Sequence, residues 1–245
     1  MDDATVAVRK PFIERNVERA LGLVIAAAEA CIRRTNAGRR VYFDTAEFPW
    51  ARTLEARWRE ARAELDAVLE ERNLIPNFQD VSEEQRAITR DAGWKVFVFH
   101  VFGQRIEQNA ARCPRTAEML AAIPGLRNAM FSILAPGKRI PPHRGVYAGL
   151  IRYHLALKVP READSCRITV RGEERAWREG ETLLFDDSWE HSVRNDTGEE
   201  RVVLFADFVR PLPQPLAAAN RALLGVLAHS PLFTRPLEKF ERGEL

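Results

Sequence analysis

The sequence predicts a mainly β domain, a sandwich or jelly roll, flanked by N-terminal and C-terminal helices. Three observations predict it. Before residue 92, stretches mix apolar residues with charges, and at 53–72 they recur at three- and four-residue steps, the spacing of a helix with one buried stripe. From Trp94 the texture changes to short β-branched and aromatic runs separated by Gly, Pro and Asp turns. The proline-rich stretch 211–217 ends those runs, and helical spacing returns after it.

In order, residues 12–34 mix alanine, leucine and isoleucine with charges and predict a helix. Residues 53–72 predict a second, with Leu54, Trp58, Ala61, Leu65 and Val68 on one stripe. Ser82-Glu-Glu-Gln85 has capping-box spacing and predicts the start of a short helix. Pro114 to Ile123 predicts another, entered at a proline and stopped by Pro124-Gly125. Strands are expected at 95–100, 129–134, 151–159, 166–170, 182–185 and 202–209. Residues 216–229 form the last expected helix, with Leu216, Leu223, Leu224 and Leu227 on one side. The expected organisation is an N-terminal helical extension packing on the core (1–92), a β domain (93–212) and a C-terminal helical tail (213–245).

Composition narrows the class. A chain of 245 residues with 29% charged and 46% apolar residues can build one sizeable core and is not a disordered chain. Its net charge of +2, without zinc-finger spacing or a basic stripe, points away from nucleic acid. Cys31, Cys113 and Cys166 are few and scattered, which suits a reducing cytoplasm better than a disulfide scaffold. Met1-Asp-Asp-Ala lacks the basic start of a signal peptide. The apolar stretch from Ala20 to Ala28 is far shorter than the roughly 18 residues of a membrane span. A cytoplasmic protein is expected, any membrane contact being peripheral at the inner surface.

Two histidines carry the chemistry: His143 in Ile140-Pro-Pro-His-Arg-Gly145 and His191 in Leu184-Phe-Asp-Asp-Ser-Trp-Glu-His191. Arg201 follows ten residues later and opens Val202-Val-Leu-Phe205. Imidazoles bind Fe(II) well, and an arginine fork matches the far carboxylate of 2-oxoglutarate. The usual iron oxygenase adds a carboxylate two residues after the first histidine, and here that position is Gly145. In the strand from Ile151 to Leu157, Ile151, Tyr153, Leu155 and Leu157 share one face, while Arg152, His154 and Ala156 share the other. That polar face lines a pocket or faces solvent; alternation fits both. Each residue taken singly also has an ordinary reading. His143 is then an exposed loop residue, His191 follows a turn of solvated acids, and Arg201 is a surface residue at a strand start.

The joint pattern resembles a family. Ser132-Ile-Leu-Ala-Pro-Gly-Lys-Arg-Ile-Pro-Pro-His-Arg-Gly145, Arg152-Tyr-His-Leu155, the run from Trp177 to His191, Arg201, and Asp207-Phe-Val-Arg-Pro211 resemble the aspartyl/asparaginyl β-hydroxylases over about residues 93–212. Pro141-Pro-His-Arg-Gly145 and Ile151-Arg-Tyr-His154 resemble the bacterial branch that includes hydroxylases of lipid A acyl chains. Residues 1–92 match weakly.

The resemblance implies a double-stranded β-helix, the cupin-like form of the jelly roll. It implies Fe(II) held by His143 and His191 as the catalytic metal ligands, with Gly145 at the family's non-carboxylate position. It implies that Arg201 and Ser132 bind the distal carboxylate of 2-oxoglutarate, with Arg152 and His154 beside the cosubstrate and substrate. The implied activity consumes O₂ and 2-oxoglutarate and hydroxylates an unactivated C–H bond. A lipid acyl chain is the favoured substrate. An aspartyl or asparaginyl residue, or a free amino acid, is the alternative. Two rivals are more remote: an iron halogenase, whose halide fills the vacant position, and a non-enzymatic cupin-like binding module, against which the presence of His143, His191 and Arg201 weighs. For a lipid substrate, the helices at 12–34 and 216–229, with Arg33, Arg34, Arg39 and Arg40, are candidates to rest on an anionic membrane surface. Packing of both helices on the β domain explains their apolar faces equally well.

Overall fold

A computed structural model describes residues 12–245. The signal-peptide reading of residues 1–4, and the start of the expected N-terminal extension, lie outside the described residues. The chain begins with α1 (Phe12–Arg33), α2 (Asn36–Arg39), the short strand β1 (Tyr42–Phe43), α3 (Pro49–Ala56), α4 (Trp58–Glu70) and α5 (Phe78–Val81). The hairpin β2 (Trp94–Val101) and β3 (Gln104–Arg105) follows, turning on Phe102 and Gly103, both with positive φ as a two-residue hairpin turn requires. After α6 (Glu107–Arg112) and α7 (Pro114–Ala121) come eight strands: β4 (Leu126–Leu134), β5 (Arg139–His143), β6 (Leu150–Lys158), β7 (Cys166–Val170), β8 (Glu173–Ala176), β9 (Thr182–Phe185), β10 (His191–Asn195) and β11 (Arg201–Val209). Helices α8 (Leu216–Ala228) and α9 (Pro231–Glu241) close the chain.

Those eight strands divide four and four between two antiparallel sheets, alternating except for the β7–β8 hairpin, which stays in one. The large sheet runs β1-β9-β6-β11-β4-β2-β3 and the small one β5-β10-β7-β8. The four inner members of the large sheet, β9-β6-β11-β4, face the four of the small sheet, the winding of a double-stranded β-helix. The expected jelly roll is therefore present.

The large sheet is buried on both faces, which is why its strands read as near-continuous apolar runs. Phe97, Phe131, Tyr153, Leu155 and Phe208 pack outward against Leu54, Leu65 and Leu120 of the helical layer. Fully burying a side chain such as Leu65 contributes about 1.5–3 kcal/mol. The opposite face meets the small sheet: Val96, Met130, Ala156, Val203 and Phe205 pack with Ile140, Ile168, Val170 and Val193. Ala156 lies in this inner layer and Tyr153 and Leu155 in the outer one, so the face carrying Arg152 and His154 points between the sheets. A solvent-facing surface is excluded.

Several expectations need correction. The helix at 53–72 starts earlier and breaks at Arg57, whose guanidinium bonds Glu60 and Glu118. The buried stripe survives the break in Leu54, Ala61, Leu65 and Val68. The Ser82 capping box does not form. Its hydroxyl donates to Glu84 at 2.9 Å, and Glu83–Ala87 is a tight 3₁₀ turn. Strands β5 and β10 and helix α9 were not foreseen. No described helix is long and apolar enough to cross a membrane. Helix α1 packs through Leu21, Ile25, Ala28 and Ile32 on a cluster with Tyr147, Leu150, Leu223, Leu224 and Leu227, so the inner faces of α1 and α8 are core.

Candidate active site

The small sheet brings the two histidines together. His143 ends β5, His191 begins β10, and the two are register partners. Pro141 and Pro142 lack amide hydrogens, which is tolerated because β5 is an edge strand paired only with β10. The turn before His191 is built by Asp186, whose carboxylate accepts the Ser188 amide at 3.1 Å. The imidazole centroids stand 4.1 Å apart. His143 Nδ1 lies 2.9 Å from the Pro141 carbonyl and His191 Nδ1 3.0 Å from the Trp189 carbonyl. A carbonyl only accepts, so each Nδ1 carries the proton and each Nε2 keeps a lone pair, the tautomer of a metal-ligating histidine. Burial, then the charge of a protonated His143, lowers His191 to about 3, and burial likewise lowers His143. Both rings are neutral near pH 7, as ligation requires.

Gly145 has no room for a side chain. Its amide donates to the Asp187 carbonyl at 2.8 Å, and a Cβ there would overlap the Asp187 carboxylate. Asp187 pairs with Arg152 at 2.8 Å, and Arg152 Nε donates to Asp207 at 2.9 Å. Asn128 donates to Asp207 at 3.1 Å. Arg152 is thus fixed between two buried acids, and burial raises the pKa of Asp187. Beneath the same turn, Asp186 is fully buried and pairs with Arg210 at 2.7 Å and Arg33 at 2.6 Å. The alternative of a turn of solvated acids therefore fails, and Arg33, a candidate for headgroup contact, instead braces the turn that carries His191. Its guanidinium also lies 3.8 Å over the Trp189 ring.

Deeper between the sheets, Arg201 is 2% exposed, so the surface reading fails. Its guanidinium lies over Trp177 at 4.6 Å and reaches the Ser132 carbonyl at 3.4 Å, a weak contact. Its Nε has no partner among the described residues. Burial lowers its pKa to about 10, which leaves it charged at neutral pH. Ser132 accepts a hydrogen bond from Trp94 Nε1 at 3.0 Å, leaving its own proton to donate. His154 is buried among Phe185, Phe205 and Trp177, and neither ring nitrogen has a partner among the described residues. Burial, then Arg201 and Arg152, lower its pKa well below normal.

An arginine with an unpartnered Nε, a histidine unpartnered among the described residues and a free hydroxyl proton, all buried, form a cradle for an anion, since such groups are costly to bury unsatisfied. Two Nε2 lone pairs on neighbouring strands fit Fe(II). Among the described residues no group of three His, Cys, Asp or Glu side chains could hold a metal, so a bound ion would take its remaining ligands from elsewhere.

All six residues singled out in the sequence line this one interior. Sequence reasoning missed Trp94, which orients Ser132, Trp177, which underlies Arg201, and the two acids that hold Arg152. Asp207 shares strand phase with Arg201, Val203 and Phe205, a signal that could have found it.

Residues 55–211 match the family model described as aspartyl/asparaginyl beta-hydroxylase. The ornithine lipid ester-linked acyl 2-hydroxylase of Rhizobium tropici is 41% identical over 222 residues, covering 90% of this chain and 79% of that protein. Human aspartyl/asparaginyl beta-hydroxylase is 30% identical over 167 residues, covering 65% of this chain and 21% of that protein. Among solved structures, a Pseudomonas putida prolyl-4-hydroxylase is similar with a TM-score of 0.42 at 19% identity, covering 63% of this chain and 88% of that one.

Proposed function

Since the chain belongs to the aspartyl/asparaginyl β-hydroxylase family, we propose that it is an Fe(II)- and 2-oxoglutarate-dependent hydroxylase acting on the acyl chain of a polar lipid. One observation carries the cofactor assignment: two facing imidazoles with Nδ1 tied to backbone lie in the same interior as a buried arginine whose Nε has no partner among the described residues. When bound, iron and 2-oxoglutarate with O₂ supply the oxidising power for hydroxylation, giving succinate and CO₂.

The protein's own share is binding, orientation and exclusion of water. His143 and His191 offer Nε2 to the metal without first losing a proton. Arg201 pairs with the distal carboxylate, and Ser132, held by Trp94, donates its proton to the same group. His154 supplies a further polar contact beside them. Arg152, pinned by Asp187 and Asp207, holds a fixed guanidinium near the histidines, its charge balanced by those acids. Gly145 adds no ligand, and the Asp187 carboxylate against it disfavours a halide there, which argues against a halogenase.

The substrate assignment rests on the relative that hydroxylates an ester-linked acyl chain of ornithine lipid at carbon 2. It moves the proposal from a lipid A-type acyl chain to an ester-linked chain of an aminoacyl lipid. The test is incubation with Fe(II), 2-oxoglutarate and ornithine lipid, followed by mass spectrometry. A gain of one oxygen on the ester-linked acyl chain, with matching succinate, is expected. Hydroxylation of aspartyl or asparaginyl peptides, with none of the lipid, would replace this reading by the alternative substrate.

A further inference from the structure

We propose that the outward faces of α1 and α8, with the Val146 loop beside them, form a docking surface for an anionic lipid bilayer. The proposal rests on the acyl-lipid reading above. With its inner face in the core, α1 leaves Ala20, Gly22, Leu23, Val24, Ala26, Ala27 and Ala30 exposed, Leu23 by 69% and Val24 by 53%. A solvated helix face ordinarily carries charge, and this one carries none from Ala20 to Ala28. Helix α8 repeats the pattern beside it. It exposes Ala218, Ala219, Ala222, Gly225 and Val226, the last by 60%.

An apolar cleft leads from the Val146 loop to the candidate site. Val146, three residues past His143, is 53% exposed. It lines a cleft with Leu224 and Leu227 of α8 that reaches Arg152, Asp187 and Asp207. An acyl chain lifted from a bilayer at this face would therefore meet the cleft directly.

Charge identifies the occupant. Arg19, Arg34, Arg39, Arg144 and Arg221 are exposed on or beside these elements. Across residues 19–40, 139–150 and 211–230 the sole acid is Glu29, and its carboxylate already accepts the Ala148 amide at 2.9 Å. Over the whole chain, 37 basic residues nearly balance 35 acidic ones, so this excess is local. Apolar residues ringed by arginines match the acyl–headgroup boundary of an anionic membrane, with the helices lying in its plane.

Sedimentation with vesicles tests the surface without requiring turnover. Wild type is expected to bind vesicles of mixed phosphatidylglycerol and phosphatidylcholine, more weakly as salt rises, and pure phosphatidylcholine poorly. Leu23→Gln with Val24→Gln should weaken binding about tenfold or more. Arg34→Gln and Arg39→Gln should cost about fivefold each. Circular dichroism and hydroxylation of detergent-dispersed lipid should stay at wild-type levels in these variants. Equal binding by the Leu23/Val24 variant, or no binding by wild type, overturns the proposal. So does sedimentation equilibrium showing a dimer that the same variant dissociates, because the face then belongs to a second copy. Acyl hydroxylation in detergent without vesicle binding sinks the docking surface and leaves the activity. Vesicle binding without any acyl product does the reverse.

Discussion

Gly145→Ala is the substitution whose effect the structure defines most closely. A methyl at this position would overlap the Asp187 carboxylate. Asp187 is 4% exposed and held by Arg152 at 2.8 Å, so its carboxylate escapes only by leaving that partner. Removing one side of a buried ion pair costs about 3–5 kcal/mol. In a chain of this size each kcal/mol lowers the melting temperature by about 2–4 °C. The expected loss is roughly 6–20 °C, read by thermal unfolding followed by circular dichroism. Adding Asp187→Ala removes the overlap, so the double variant should lose less than the two single losses summed. Gly145→Asp meets the same obstacle, so it should destabilise the fold rather than create a third metal ligand. A melting temperature within 2 °C of wild type for Gly145→Ala, or strictly additive losses in the cycle, would refute the steric argument.

Other expectations concern the deep end and acid stability. Arg201→Lys keeps a positive charge but loses the planar fork, and should raise the KM for 2-oxoglutarate about ten- to a hundredfold in a succinate assay. Trp94→Phe removes the donor that orients Ser132, and should raise the same KM about two- to tenfold while kcat changes little. His191 is buried neutral with its pKa lowered from 6.5 to about 3, so the unfolded chain binds a proton that the folded one refuses. Its stabilisation is complete above pH 6.5 and is lost as pH falls towards 3, by about 5 kcal/mol in all. Urea titrations of metal-free protein from pH 7.5 to 4 should show that slope, and His191→Gln should reduce it, His143 and His154 supplying the remainder.

Why some of this was legible in the sequence and some was not has physical causes. Period-2 alternation placed Arg152 and His154 on one face of β6, but alternation is identical for a pocket and for a wet surface. The small sheet decides between them, and its two site strands were hidden. Pro141-Pro142 disguised β5, which tolerates them as an edge. His191-Ser-Val-Arg-Asn195 is too short and polar to announce β10. The acids at 186 and 187 looked solvated because their partners are distant: Arg33 lies 153 residues from Asp186. No local pattern reports such a pair. Trp94 and Ser132 meet across β2 and β4, where Trp94 pairs with Leu134 and Val96 with Ser132, a register that sequence reading did not supply. Phase and motif order sufficed for the six residues of the interior, whereas long-range ion pairs needed the fold.

In the proposed function two histidines are the protein's ligands to an iron that turns over 2-oxoglutarate and places oxygen on an acyl chain. The most direct measurement supplies isotopically labelled O₂ to Fe(II)-loaded protein with 2-oxoglutarate and ornithine lipid, and compares wild type with folded His143→Ala and His191→Ala. Wild type should give one labelled oxygen on the ester-linked acyl chain and equimolar succinate, and the two variants neither. Undiminished succinate from either variant, or a wild-type product whose oxygen is unlabelled, would contradict the proposed function.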